Sequence, residues 1–171
     1  MDSAGNYLPD DVTRRIGALG SSLHIPVGFH GHNNISHAVA NTIAAMNAGA
    51  TILDGTAKGF GAGAGNTQLE VLLAVLERME VPTGIDLKKY LLAAEYIELE
   101  VMPEAPRISS VSIASGLAGV FSGFAKPVIR VSKQFNVDPS DVFAELGRRR
   151  AVAGQEDLIV EVASRLAERK G

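Results

Sequence analysis

Within the first 79 residues, segments of helical spacing alternate with short strand-like runs, in the order α-β-α-β-α and with few residues between them. This alternation constrains the fold most, because strand, helix and strand in succession pack as a parallel sheet covered by helices. Residues 9–19 predict a helix. Pro9 suits its first turn, Asp10 and Asp11 suit its positive end, and Val12, Ile16 and Leu19 form an apolar stripe before Gly20. Residues 25–30 read as a short buried strand and residues 50–54 as the next strand. Between them, residues 36–48 predict a helix with Val39, Ile43 and Met46 on one face and Gly49 as its stop. A glycine-rich loop, residues 55–65, leads to a third helix, where Thr67 and Glu70 have the spacing of a capping box. A pair of strands would leave open edges, so residues 1–80 read as the end of a larger parallel sheet.

Val81-Pro82-Thr83-Gly84 punctuates the chain, and the strand signal fades beyond it. Residues 86–100 predict a helix started by Asp86. A broken region with Pro103 and Pro106 follows, then an apolar stretch of small residues, 115–135, in which Pro127 starts or kinks a helix. Asp138-Pro139 is a cap followed by proline at the first helical position, opening a helix through Arg148. The last helix spans residues 155–169, with Leu158, Val162 and Leu166 on one stripe. Residues 85–171 therefore read as a small all-helical domain.

The net charge of −3 gives no basic surplus to attract nucleic acid or acidic lipid. The absence of cysteine removes disulfides and thiolate metal sites. The N-terminus has no signal-peptide pattern, and no apolar run is long enough to span a membrane, so a cytoplasmic location is expected.

His30-Gly31-His32 is the sharpest chemical feature. Residues i and i+2 of a strand point to one side, so two imidazoles there can converge on a metal ion. They sit at the C-terminal end of a strand, where barrels and open α/β sheets build their sites. The plainer reading is two ordinary histidines near a strand end. The loop GFGAGAGN lets backbone approach a ligand closely, with a helix N-terminus behind it, or it is a βα loop with no ligand. It has neither the dinucleotide fingerprint nor the lysine of a nucleotide-phosphate loop. Asn66 and Asn34 each cap a helix or face the site, with capping the plainer role. Asp54 ends a strand and either touches the site or serves a turn, where strand-terminal aspartates are common. His24, His37 and the run 148–150 read as structural or solvated. Nothing in the chain supports a serine or cysteine nucleophile.

Taken together, VGFHGHNN, the helix SHAVANTIAAMNAGA and ATILDGTAKGFGAGAGNTQLEVLLAV resemble strands seven and eight of the metal-dependent aldolase and lyase TIM barrels. The opening DSAG resembles the end of strand six. GLAGVFSGF and AVAGQEDLIVEVA resemble the C-terminal helical domain of the 4-hydroxy-2-oxovalerate aldolases. The resemblance covers nearly the whole chain. It implies an α/β fold: the C-terminal part of a TIM (β/α)8 barrel, from the end of strand six through helix eight, then a helical communication domain. It implies cleavage of 4-hydroxy-2-oxo acids to pyruvate and an aldehyde such as acetaldehyde, assisted by a divalent ion, usually manganese, as Lewis acid. By the same resemblance His30 and His32 are metal ligands, and Asn66 lines the substrate site. The helical domain docks an acylating acetaldehyde dehydrogenase, in a homo- or hetero-oligomer.

The chain departs from the family pattern in two ways. The family's third metal ligand, an aspartate on strand one, and its catalytic arginine and histidine match no residue here; Asp2 matches strand six. No catalytic residue is therefore assigned in this chain. The family's tail motif carries tyrosines where this chain has Leu117 and Phe121, the latter expected at the substrate. A rival reading is a catalytically inactive chain that serves as an interaction subunit for the dehydrogenase.

Overall fold

The computed structural model describes residues 1–169. Its first part runs α1 (Pro9–Ser22), β1 (Gly28–His30), α2 (Ala38–Asn47), β2 (Ile52–Asp54), a 3-10 turn (Ala57–Gly59) and α3 (Leu69–Arg78). β1 and β2 are parallel, with Phe29 beside Leu53 and His30 beside Asp54. Asp2 also lies beside β1: its N–H donates to the His30 carbonyl and its carbonyl accepts from the His32 N–H. Val27 and Phe29 of the β1 region bury against Val12 and Ile16 of α1 and Ala45 of α2. Burial of this apolar surface holds the short strands in place.

The alternation predicted from sequence is present, with local differences. α1 continues through Gly20 to Ser22, and Leu19 is exposed. α2 starts at Ala38 because Ser36 takes a positive φ of 65°. Its buried side is Ala38, Asn41, Thr42 and Ala45, while Val39, Ile43 and Met46 are only half-buried. Small side chains let the helix approach its neighbours closely, which outweighs the larger apolar stripe. The predicted capping box does not form. The Glu70 carboxylate accepts from the Lys58 N–H at 2.9 Å, and the Thr67 hydroxyl meets that of Thr42 at 3.0 Å.

The second part comprises α4 (Leu87–Glu100), α5 (Ser110–Leu117), a 3-10 turn (Ser122–Phe124), α6 (Ala125–Phe135), α7 (Pro139–Arg148) and α8 (Asp157–Glu168). Asp86 and Asp138 cap α4 and α7, accepting from Lys89 N and Ser140 N. Pro127 falls in the first turn of α6, where a missing N–H is tolerated. α5–α8 enclose a separate apolar core of Val120, Phe124, Val128, Phe143, Leu146 and Ile159. α4 packs against α3 and the first 3-10 turn, with Lys58 Nζ 2.9 Å from Glu98. Among the described residues no helix is long and apolar enough to cross a membrane.

Candidate metal centre

β1 delivers His30 to the end of the sheet, and the chain turns through Gly31 to His32. The two rings stand edge to face with centroids 5.3 Å apart. The parallel register places Asp54 of β2 beside His30, and Asp54 Oδ2 lies 2.7 Å from His30 Nδ1. That contact orients the ring and leaves Nε2 as the nitrogen free to bind a cation. A carboxylate behind a ligating histidine is a recurrent arrangement in metal sites, where it fixes the tautomer and raises the ring's basicity.

His32 is buried, and its Nδ1 has no hydrogen-bond partner. Burial holds its pKa below the ordinary value, and the neighbouring His30 charge adds to that effect. The Ala62 backbone and the Asp2 carboxylate pull more weakly the other way. The result is a neutral imidazole, the form that ligates metals.

Asn66 faces His32 through an antiparallel bridge. Its Nδ2 donates to the Phe60 carbonyl at 3.0 Å, while its buried Oδ1 has no partner. Asn66 therefore does not cap α3, whose N-cap is Gln68. An unpartnered imidazole nitrogen and an unpartnered amide oxygen thus flank one bridge. Buried polar atoms are rarely left so, and both are donors that a divalent ion or a polar ligand accepts. The residues present fit part of a metal site. Among the described residues no group of three or more histidine and acidic side chains is placed to hold an ion. Catalytic sites of this type use three protein ligands.

The glycine-rich loop is closed on itself. Asn66 N donates to Gly59 O, Leu69 N to Thr56 O and Thr56 N to Thr67 O. Glu70 places a carboxylate in the first turn of α3, so this helix end does not serve as an open anion cradle.

Asp2 is buried, and its carboxylate accepts from Asn6 N and Tyr7 N. Asn34 is fully buried and caps nothing; Asn33 instead accepts from Ala38 N at the start of α2. His24 is exposed, and His37 is half-buried with Nδ1 on the Ile35 carbonyl. Phe121 stands edge-on to Phe124 at 5.8 Å against the helical core, and Leu117 is largely exposed. Sequence reasoning left Asp54 open and missed Asn33. The signal for Asp54 was its position at the end of the strand that follows β1, which parallel pairing turns into adjacency.

Two family models match the chain: HMGL-like over residues 1–97 and DmpG-like communication domain over residues 106–168. The chain belongs to the HMGL-like family. A protein named 4-hydroxy-2-oxovalerate aldolase from Pectobacterium atrosepticum is 63% identical over 169 residues, 99% of this chain and 49% of that protein. One of the same name from Spirochaeta aurantia is 60% identical over 99% of this chain and 50% of its own length. The chain spans about half the length of the curated relatives it matches. The carboxyl transferase domain of Rhizobium etli pyruvate carboxylase aligns with a TM-score of 0.78, at 14% identity, over 98% of this chain and 30% of that one. That likeness concerns the fold alone. The family assignment gives the architecture its name. β1, β2 and their helices are the C-terminal part of a TIM barrel, most of α4 falls within the same HMGL-like match, and α5–α8 are a communication domain. His30 and His32 lie at the C-terminal end of β1, the strand end at which TIM-barrel enzymes hold their active sites.

Proposed function

We propose that this chain supplies the C-terminal part of a 4-hydroxy-2-oxovalerate aldolase. The reaction is cleavage of a 4-hydroxy-2-oxo acid to pyruvate and an aldehyde, which is acetaldehyde when the acid is 4-hydroxy-2-oxovalerate. The observation that carries this reading is the His30–His32 pair, with Asp54 behind His30, in a chain so similar to proteins of that name. His30 Nε2 and His32 would hold a divalent ion, taken here to be manganese, with oxygen donors completing its shell. When bound, such an ion polarises the 2-oxo group and stabilises the enolate that remains when the aldehyde leaves. The third ligand and the base come from residues outside this chain. Asn66, with its unpartnered Oδ1, would contact the substrate, and Phe121 would line the substrate site from the helical domain. Residues 1–80 form the partial barrel.

Residues 85–171 form the docking domain for an acylating aldehyde dehydrogenase, with α4 leaning back on the barrel. The exposed side chains of Ile113 and Leu117, which border an open groove between α5 and α7, suit such a contact. A cytoplasmic enzyme acting on a small 2-oxo acid is consistent with the charge and the absence of cysteine. Calorimetric titration with manganese tests the centre of this reading. Binding by the chain, lost in His30→Ala, is expected; equal binding by both would overturn it.

A further inference from the structure

Asn34 is fully buried, two residues beyond His32, and no step proposed above uses it. Both its amide hydrogens and its amide oxygen are engaged. Its Nδ2 donates to the Ala4 carbonyl and to Ser122 Oγ, each at 2.9 Å. Its Oδ1 accepts from the Ala64 N–H at 3.0 Å. Ser122 Oγ in turn donates to the Ser3 carbonyl at 3.0 Å, and the Ser122 N–H donates to the same carbonyl. One carboxamide thus joins the segment carrying Asp2, the segment carrying His32, the glycine loop that ends at Asn66, and the 3-10 turn of the helical domain.

The packing leaves little slack around it. A Cβ at Gly63, where φ is +66°, would stand 2.6 Å from Asn34 Oδ1 and 3.1 Å from Ser122 Cβ. The loop can follow this path only while Asn34 and Ser122 keep their places. Its other ties, among them Gly65 N to Ala62 O, Asn33 N to Gly65 O, Asn66 N to Gly59 O and Asn66 Nδ2 to Phe60 O, stay within the barrel segment, so Ser122, acting through Asn34, is the helical domain's polar hold on it.

We propose that Asn34 is a positioning residue that makes the shape of loop 60–66, and with it the placement of Asn66 against His32, depend on Ser122 of the helical domain. The functional side of this inference rests on the metal site proposed above. The structural side does not. Anything that shifts the 3-10 turn then alters the site through a single side chain.

The test compares the chain with Ser122→Ala and with Ser115→Ala. Ser115 is an equally buried serine of α5 whose hydroxyl bonds only the Val120 carbonyl, and its loss reports general loosening of the helical domain. Loss of the Ser122 hydroxyl, with its bonds to Asn34 and to the Ser3 carbonyl, should speed exchange of the Ala64 amide by about fivefold to tenfold or more in Ser122→Ala. Ser115→Ala should leave that amide unchanged, as both variants should leave the α2 amides. Manganese affinity, read by electron paramagnetic resonance of the free ion, should fall several-fold in Ser122→Ala only. Wild-type exchange at Ala64 in Ser122→Ala, or equal acceleration in both variants, would overturn the proposal. If the unaltered chain takes up no manganese, the metal-site reading fails, and the exchange data still decide the role of Asn34. Should Ser122→Ala not fold, Ser122→Cys replaces it under the same readings.

Discussion

The Asp54 carboxylate reaches His30 Nδ1 at 2.7 Å across the parallel pair β1–β2, at the last position of their register. Such partners typically change metal affinity by about 10–100-fold when removed. Asp54 is exposed at its outer face and contributes nothing to either apolar core. Asp54→Ala should therefore weaken manganese binding by about tenfold or more while leaving thermal stability nearly unchanged. Calorimetry beside a thermal melt checks this. An unchanged affinity would show that His30 is oriented by something else.

The His32 pKa is lowered in the folded protein, chiefly by burial. The unfolded chain takes up a proton at this residue near the ordinary value of 6.5, the folded chain only at lower pH. Below 6.5 the unfolded state thus binds more protons, and stability is lost as pH falls, until His32 titrates in the folded state as well. Above 6.5 this contribution is complete. In the metal-free protein His32→Asn should flatten the decline in urea midpoint between pH 6.5 and the acid limb. Equal slopes in both proteins would place the proton uptake elsewhere.

What the sequence made legible follows from how local each signal is. The Asp86 and Asp138 caps and the parallel α/β alternation depend on neighbours within a turn or two, and they appear where expected, whereas the apolar stripe Val39, Ile43 and Met46 is not the buried face of α2. The i, i+2 spacing of His30 and His32 likewise brings their rings together. The capping box failed because Glu70 and Thr67 found partners 12 and 25 residues away, at Lys58 and Thr42. Asn34 was read as a cap or a site residue because its partner Ser122 lies 88 residues on. No local pattern carries that pairing; it exists only once the helical domain packs on the end of the barrel segment.

Gly65 separates backbone geometry from side-chain chemistry. A Cβ there would meet the Gly59 carbonyl oxygen at 2.2 Å, and φ is +88°. Gly65→Ala should destabilise the protein by about 2–4 kcal/mol, combining a left-handed conformation with a backbone clash. Gly17→Ala, in α1 with no atom within 4 Å of the new Cβ, should be neutral or stabilising by up to ~1 kcal/mol. Denaturant unfolding of both variants gives the comparison. A mild Gly65→Ala would mean that the loop takes another path.

Activity is the most demanding consequence. Retro-aldol cleavage needs a base for the 4-hydroxyl proton and an electrophile for the departing enolate. In the proposed site the electrophile is an ion held by His30 and His32, one protein ligand short of the usual three. Of the remaining histidines, His24 precedes β1 at the opposite end from His30, and His37 has its Nδ1 on a backbone carbonyl. Neither is placed to take the proton. General base catalysis alone is worth about 10²–10⁴ in rate, and the missing ligand compounds that loss. The 171-residue chain by itself should thus yield no measurable pyruvate from 4-hydroxy-2-oxovalerate, with or without manganese. Mixed with the separately expressed N-terminal half of a full-length relative, it should recover manganese-dependent turnover, and His32→Ala should abolish that recovery. A coupled pyruvate assay decides the matter. Metal-dependent turnover by the chain alone, lost in His32→Ala, would show that the base lies within these residues and that its position has been misjudged.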